Sequence, residues 1–221
     1  KAYDREGNEK EQQIREVKEQ KKQTEEEWKL WKNQKDPEPE RSEAVQKNRA
    51  RLKEKGIFYE PFYKTVDFAE HLSASEASRL EEALLQMGIL DALLVSADDR
   101  EKILEMDEGL CDRYLFSDVA HVKQSLLEVL DVDNGAQDIL FYQRVSHILS
   151  SIGYACRDAG STCVDTGGNY RIGVLEGTVT GTYEARFIGA GARENYRRQK
   201  IEELEELLLK IQKEEAGYQQ E

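Results

Sequence analysis

Cysteine and histidine are the side chains of this sequence that could bind a metal or act as nucleophiles, and they are few. The three cysteines, Cys111, Cys156 and Cys163, form no CxxC pair. A disulfide framework or a zinc site is therefore not predicted, and reduced thiols are expected. The three histidines lie far apart in the sequence: His71, His121 and His147. We predict no metal site.

Acid–base and phosphate-binding chemistry also find little support. Asp165, Glu176 and Glu184 are polar positions among predicted strands, without a pattern of His, Lys or Ser that would make an acid–base pair. Gly167-Gly168 could be a phosphate loop, but a glycine pair between short strands is typical of a hairpin turn. The sequence contains neither GxxxxGK[ST] nor an ABC-type signature. We predict no catalytic residue and no cofactor bound to this part of the protein.

Basic side chains that flank the middle of the chain are the remaining candidates for binding. Residues 1–55 carry 16 basic and 14 acidic side chains, residues 56–190 carry 10 and 23, and residues 191–221 carry 6 and 8. The acidic middle would repel phosphate, whereas a basic collar beside it could contact DNA. The alternative is a solvated helix face with weak i,i+4 ion pairs. The candidates are Lys47, Arg49, Arg51, Lys53, Lys55, Arg193, Arg197, Arg198 and Lys200.

The first 55 residues predict two helices separated by a break. Residues 1–35 are rich in Glu, Lys, Gln and Arg, which favour helix, and their apolar seam is too polar to hold a lone helix. A coiled-coil partner is therefore expected, with a disordered tail as the alternative. Two prolines within 36–42 end this helix, and 43–55 predicts a coiled-coil helix adjoining the next region. The seam of the first helix follows a heptad ladder: Ile14, Val17, Lys21, Thr24, Trp28 and Trp31.

Residues 56–190 predict a compact α+β body. Aromatic and β-branched residues around Pro61 indicate an edge strand or a turn. Ser73 or Ser75 caps a helix that Gly88 ends. The other predicted elements are a buried strand or continuing helix at 89–95, helices at 121–132 and 136–154, and a β-meander from Gly167.

Residues 191–221 predict the outgoing coiled-coil helix, with apolar residues at a/d spacing: Ile201, Leu204, Leu208 and Ile211. Because a helix enters the body and another leaves it, we expect the two to pair side by side and antiparallel. This pairing would set Lys55 near Gly191 and Arg41 near Glu205. The predicted architecture is a compact body on a two-helix antiparallel arm.

Two blocks of the body resemble the hinge of the SMC-like ATPases of Wadjet anti-plasmid systems, relatives of the MukB and MksB bacterial condensins. The first block is YKTVDFAEHLSASEASRLEEALLQMGILDALLVS, with a VDF strand, an LEEAL helix and GILDA. The second is GGNYRIGVLEGTVTGTYEARFIGAGARENYRRQKIEEL, with an R-x-G-V-L-x-G strand and an IGA-x-AR segment. Residues 96–160 carry no part of the resemblance.

The resemblance implies a hinge that forms homodimers within an ATP-driven, DNA-loop-extruding complex that acts on circular plasmids. It also implies kleisin, KITE and nuclease subunits as partners, and ATP with Mg²⁺ at head domains that this chain lacks. The chain begins without Met inside a helical pattern, which suggests a piece of a longer protein. No apolar run of about 18 residues and no signal-peptide core is present, so we expect no membrane segment and a bacterial cytoplasmic, nucleoid-associated location.

The glycine-rich strands near the end of the body are the candidate dimer interface. Small residues in a strand allow another backbone to approach, as when a second copy adds a strand. An ordinary tight meander explains the same glycines. The candidates are Gly167, Gly168, Tyr170, Gly173, Leu175 and Gly177. The functional alternatives are a DNA-binding module that uses the basic collar without self-association and, more remotely, an enzyme within the acidic body.

Overall fold

The computed structural model describes residues 2–106, 111–117, 120–133, 135, 138–155 and 161–220. They fall into two compact units, one formed by Lys1–Pro37 with Glu194–Glu221 and the other by Glu38–Arg193. We call the first the arm and the second the body. The combination of helices and short strands confirms the predicted α+β class.

The described helices are α1 (Ala2–Lys32), α2 (Glu43–Glu54), α3 (Phe62–Thr65), α4 (Ala74–Gln86), α5 (Arg100–Leu104), α6 (Ile139–Ser151) and α7 (Ala190–Gln220). The described strands are β1 (Glu60–Pro61), β2 (Val66–Phe68), β3 (Leu93–Val95), β4 (Tyr114–Phe116), β5 (Leu130–Val132), β6 (Gly153–Tyr154), β7 (Cys163–Val164), β8 (Asn169–Ile172) and β9 (Leu175–Thr178).

The arm is an antiparallel pair formed by α1 and the part of α7 that follows Arg193. Trp28 donates its indole N–H to Glu205 at 3.0 Å, and the Lys21 ammonium pairs with Glu215 at 2.7 Å. The earlier residue on α1 pairs with the later residue on α7, so the two helices run antiparallel. The buried seam contains Val17, Thr24, Trp31, Leu204 and Ile211. The heptad positions predicted for both helices are therefore confirmed.

The predicted pairing of 43–55 with the outgoing helix is wrong. Helix α2 belongs to the body, where Leu52 is fully buried with Ile57 and Leu93. Arg41 pairs with Asp91 of the body, whereas it was predicted near Glu205. The physical reason is that α2 carries Leu52 and a buried arginine on its inner face, and both find better partners in the body than in a heptad seam.

The body contains three small sheets. Strand β3 lies between β1, which is antiparallel to it, and β4, which is parallel. Strands β2 and β5 form an antiparallel pair. The third sheet has the order β6-β7-β8-β9, in which β7, β8 and β9 form the predicted antiparallel meander. Its outer strand β9 has a free edge among the described residues.

The helices of the body pack their apolar faces onto these sheets. Helix α4 begins with the predicted capping box of Ser73 and Glu76 and buries Leu80, Ala83 and Leu84 in the main core. Residues 89–95, for which the sequence left a buried strand or a continuing helix open, form a turn followed by the buried strand β3. The helix predicted at 136–154 is confirmed over most of its length by α6. Residues 136 and 137 of that prediction lie outside the described residues.

The helix predicted at 121–132 is wrong. Residues Leu126–Glu128 form a single 3-10 turn, and β5 follows directly. The alternation of buried Leu130, exposed Asp131 and buried Val132 has the period of a strand, and β2 supplies its partner. The apolar residues of this stretch match helical spacing, but the same spacing is also compatible with a turn followed by a strand.

Candidate functional site: two anchors and an open strand edge

Two arginines, the buried Arg49 and the half-buried Arg41, fasten the beginning of the body to its core, and we call this cluster the entry anchor. Arg41 forms a two-pronged ion pair with Asp91, with both N···O distances 2.7 Å. Arg49 donates to Asp112 at 2.8 and 3.0 Å and also to Asp91 at 3.2 Å. Paired forks of this kind fix direction as well as distance. The chain from Arg41 to Arg49 is therefore held in one orientation on the body.

Burial and pairing set the ionisation of this cluster. Hydrogen bonds to Asp91 raise the pKa of Arg41 further above its usual value. Burial lowers the pKa of Arg49, but the hydrogen bonds to Asp112 and the charges of both aspartates outweigh it, so that its pKa is raised. Burial also raises the pKa of the neighbouring Tyr63 to about 12. With their pKa values raised, Arg41 and Arg49 stay protonated and charged near neutral pH, and Tyr63 stays protonated and neutral.

A buried carboxylate fastens the end of the body, and we call it and its neighbour Glu82 the exit anchor. Glu81 of α4 is fully buried. It accepts hydrogen bonds from the backbone N–H groups of Arg186 at 2.6 Å, Phe187 at 3.1 Å and Ile188 at 2.8 Å. The Tyr183 hydroxyl donates to it at 2.7 Å. Burial raises the pKa of Glu81, and these donors oppose the rise only in part.

Further contacts from α4 extend the exit anchor along the same segment. Glu82 accepts from the Thr180 hydroxyl at 3.0 Å and from the Gly181 N–H at 3.4 Å. The Ser78 hydroxyl accepts from the Ala185 N–H at 3.0 Å. Side chains of α4 thus accept hydrogen bonds from six backbone N–H groups within 180–188, the stretch that leads into α7. An extended segment without strand partners needs such acceptors.

Neither anchor was predicted as a site, and of their residues only Arg49 was a candidate, as a DNA contact. A signal existed for Glu81, because it lies three positions before Leu84 and four after Ala77, on the inward face of α4. An acidic residue on the core face of a helix indicates a buried partner. For Asp91 and Asp112, the sequence carries no comparable pattern, since their partners lie 42 to 63 positions away.

Four of the six predicted interface residues lie on the hairpin of β8 and β9, and Gly167 and Gly168 lie in the turn that precedes β8. Gly173 has a positive φ of 56° in the turn, followed by the fully exposed Val174, and Leu175 is 56% exposed at the start of β9. Tyr170 pairs with Gly177 across the hairpin. A Cβ on Gly177 would overlap the Tyr170 ring, so this glycine makes room for its own neighbour.

The other two predicted glycines also have roles within the chain. A Cβ on Gly168, whose φ is 87°, would overlap Val179, while one on Gly167 would lie 3.1 Å from the Asp165 carboxylate. The hairpin nevertheless leaves the backbone edge of β9 and two apolar side chains, Val174 and Leu175, exposed. The intrinsic geometry therefore explains the glycines, and the exposed edge is the feature that a second chain could use.

The predicted DNA-binding residues are divided between the two units. Lys47, Arg51, Lys53, Lys55 and Arg193 belong to the body, together with Arg49. The prediction for Arg49 is wrong, because its side chain is 9% exposed and already holds two carboxylates. Lys47 is 66% exposed and pairs with Glu43 at 2.7 Å, while Arg193 donates to the Phe187 carbonyl at 2.9 Å.

The remaining three predicted basic residues lie on the arm portion of α7. Arg197 pairs with Glu194 and with Asp36, Arg198 donates to Asn195, and Lys200 pairs with Glu203. These contacts match the solvated, ion-paired helix face that was the alternative interpretation. Whether these residues also contact DNA stays a prediction.

The reactive side chains remain dispersed. Cys111 is exposed, Cys163 is buried, and Cys156 lies outside the described residues. The His121 and His147 rings meet edge to face with centroids 5.1 Å apart. Within the described ranges, no group of three or more His, Cys, Asp or Glu side chains is placed to hold a metal ion. No described helix is long and apolar enough to span a membrane.

Comparisons with known proteins give structural similarity only. No protein-family model and no curated protein sequence matches the chain. Its fold is similar to the SMC hinge domain of Geobacillus stearothermophilus, solved as an asymmetric dimer, with 11% identity over 99% of this chain and 97% of that one and a TM-score of 0.44. For the Pyrococcus furiosus Smc hinge with an extended coiled coil, the identity is 16%, the coverage 98% and 82%, and the TM-score 0.43. For the folded elbow of cohesin, the identity is 11% over 98% of this chain and 37% of that one, and the TM-score is 0.39.

Proposed function

We propose that this chain is the hinge of an SMC-like ATPase and joins two such chains by homodimerisation. The observation that carries the proposal is the antiparallel pairing of α1 with α7, the first and last helices of the chain, with the whole body inserted between them. A body inserted in this way is the layout expected of an SMC hinge. The two blocks of hinge-like sequence, around LEEAL and around GVLEG, support the same proposal.

The anchors give this hinge a mechanical role. Force on a coiled-coil arm reaches the body through the entry chain and the exit chain. The ion pairs of Arg41 and Arg49 resist displacement of the entry chain. The hydrogen bonds of Glu81 and Glu82 resist displacement of the exit chain. Arg49 and Glu81, the central residues of the two anchors, are buried, so that breaking either anchor leaves unpaired polar groups in the core. The proposed hinge therefore transmits force between arm and dimer contact without local unfolding.

We propose the open edge of β9, with Val174 and Leu175, as the dimer contact. Unpaired strand edges are suited to pairing with another chain. Replacing Leu175 with Glu should weaken self-association by about tenfold or more, because a charge would then face the partner strand. Leu104→Glu is the matched control, since Leu104 is 57% exposed elsewhere in the body. Equal association of the two variants in sedimentation velocity would remove β9 from the interface.

In the cell, we propose that the parent protein is a condensin of the Wadjet type. The head domains of that parent protein would bind ATP and Mg²⁺, and kleisin, KITE and nuclease subunits would complete a complex that extrudes DNA loops and acts on circular plasmids. Its place would be the nucleoid of the bacterial cytoplasm. The sequence resemblance supports this finer assignment. Loss of protection against plasmid transformation in cells that carry the Leu175→Glu variant, but not Leu104→Glu, is the expected result.

A second candidate function is DNA binding by the basic residues of the body. The observation that favours it is the orientation of α2, which buries Arg49 and leaves Lys47, Lys53 and Lys55 exposed. Reversing these three lysines to Glu should weaken binding to a short duplex and flatten its salt dependence. Unchanged affinity and salt dependence would refute this function without affecting the dimer proposal.

A further inference from the structure

An open cleft lies between the first residues of the body and the start of α6. Its volume is about 790 Å³. One wall comes from residues 56–65 and 96–99, and the other comes from residues 133, 135 and 138–144. The Phe58 and Phe141 rings meet edge to face at 5.6 Å between these walls. A cleft of this size is in the range that binds drug-sized ligands or peptide side chains.

Large apolar side chains are exposed at this cleft. Of the residues that line it, Leu140 is 69% exposed and Phe58 is 57%. Beside Leu140 on α6, Ile139 is 76% exposed and Tyr142 is 51%. Asp138 caps α6 by accepting the Leu140 N–H at 3.0 Å, so the exposed residues begin a regular helix. Single exposed apolar residues are common, but several together indicate a surface that another molecule covers.

The charges of the cleft determine which molecule fits. Its carboxylates, Glu60, Asp99, Asp133 and Asp138, outnumber its two basic side chains, Lys64 and Arg144. Asp99 pairs with Lys102 at 2.9 Å, and Lys64 lies 3.7 Å from Glu38, so part of the charge is already balanced. The net potential of the cleft remains negative, in a body that is itself acidic. Phosphate backbones are therefore repelled, and a second acidic body is disfavoured.

We propose that this cleft docks a basic amphipathic helix of a partner protein. The apolar face of such a helix would cover Phe58 and Leu140, and its Lys or Arg side chains would face the carboxylates of the rim. Helix-in-groove recognition uses apolar anchors at i, i+3, i+4 and i+7. Charge complementarity around these anchors adds to the association rate and selects against acidic partners.

The test uses a fluorescent, acetylated and amidated peptide of about 14 residues, with Leu and Phe on one helical face and Lys elsewhere. Fluorescence anisotropy with the full chain should show saturable binding. Leu140→Ser should weaken it about tenfold, because one buried leucine is lost from the contact. Leu104→Ser is the matched control and should bind like the wild type. A peptide with Glu in place of every Lys should bind at least about tenfold more weakly.

Each of the other outcomes overturns the proposal. The proposal is contradicted if the peptide shows no saturable binding, or if the Leu140→Ser and Leu104→Ser variants bind it with equal affinity. It is also contradicted if the acidic and basic peptides bind with equal affinity. If Leu140→Ser instead lowers the molecular mass seen by light scattering, the occupant is a second copy of this chain. Both leucines are exposed, and matching melting temperatures would confirm that neither substitution unfolds the protein.

Discussion

The phenol ring of Tyr170 on β8 covers the backbone of Gly177 on β9, its partner across the hairpin. Tyr170 also packs against the main core. The ring occupies the space that a side chain at 177 would fill. Gly177 is therefore explained by its own hairpin, and the dimer proposal rests on the free edge of β9 and on Val174 and Leu175.

Replacing Gly177 with Ala should destabilise the body by about 1–2 kcal/mol, because the Tyr170 ring must move away from the new methyl group. Chemical denaturation followed by circular dichroism measures the change. In the Tyr170→Ala background, the same glycine substitution should cost much less. A full cost in that background would show that Gly177 is needed for another reason, such as contact with a second chain.

Removing the Glu81 carboxylate should be among the most destabilising single changes in the body. Glu81→Ala leaves the N–H groups of Arg186, Phe187 and Ile188 without their acceptor, and a loss of about 3–5 kcal/mol is expected. Glu81→Gln should also be costly, since both carboxylate oxygens accept N–H groups and an amide nitrogen cannot. Glu76→Gln at the exposed start of α4 is the control, and a similar loss there would contradict the role of Glu81.

The contribution of Glu81 should depend on pH in a definite direction. Burial raises its pKa above the unfolded value of 4.5, so the folded state holds the proton more tightly. The stability that Glu81 contributes is therefore fully present below pH 4.5 and decreases as the pH rises through the higher folded pKa. The difference in unfolding free energy between wild type and Glu81→Ala should shrink from pH 4 to neutral pH. A difference that grows over this range would mean that the donors outweigh burial.

The Arg49–Asp112 pair should show strong energetic coupling. Arg49→Met leaves the nearly buried Asp112 carboxylate without its cationic partner, and a loss of about 3 kcal/mol is expected. The double variant Arg49→Met/Asp112→Asn should be less destabilised than the sum of the single changes, with a coupling of about 1–3 kcal/mol. Lys47→Met, on the exposed face of α2, should change stability by less than about 0.5 kcal/mol. Additive single effects would contradict the anchor.

Elements with a strong local signal were predictable from the sequence. The arm seam with Trp31 and Leu204, the capped helix after Ser73 and the final meander all follow from periodicity and turn chemistry, because their determinants are close in sequence. The placement of α2 was not predictable in this way. The charged residues at and before α2 fit a solvated arm equally well, and only the tertiary pairs of Arg41 with Asp91 and of Arg49 with Asp112 place the helix in the body.

The candidate sites show the same division between local and long-range determinants. The hairpin containing Gly173 could be predicted from its glycines, whereas the exit anchor joins Glu81 to a segment more than 100 positions later. Basic composition predicted a collar that included Arg49, because a sequence does not distinguish a buried arginine from an exposed one. Only tertiary pairing shows that Arg49 is already occupied.

The mass of the chain in solution tests the central claim most directly. Light scattering across a range of concentrations should give twice the monomer mass of 25.4 kDa, with dissociation on dilution. The anchors and the arm are intramolecular, so they predict nothing about this value and cannot produce it. A chain that remains at 25.4 kDa at every concentration would contradict the proposal that it is a dimerising hinge.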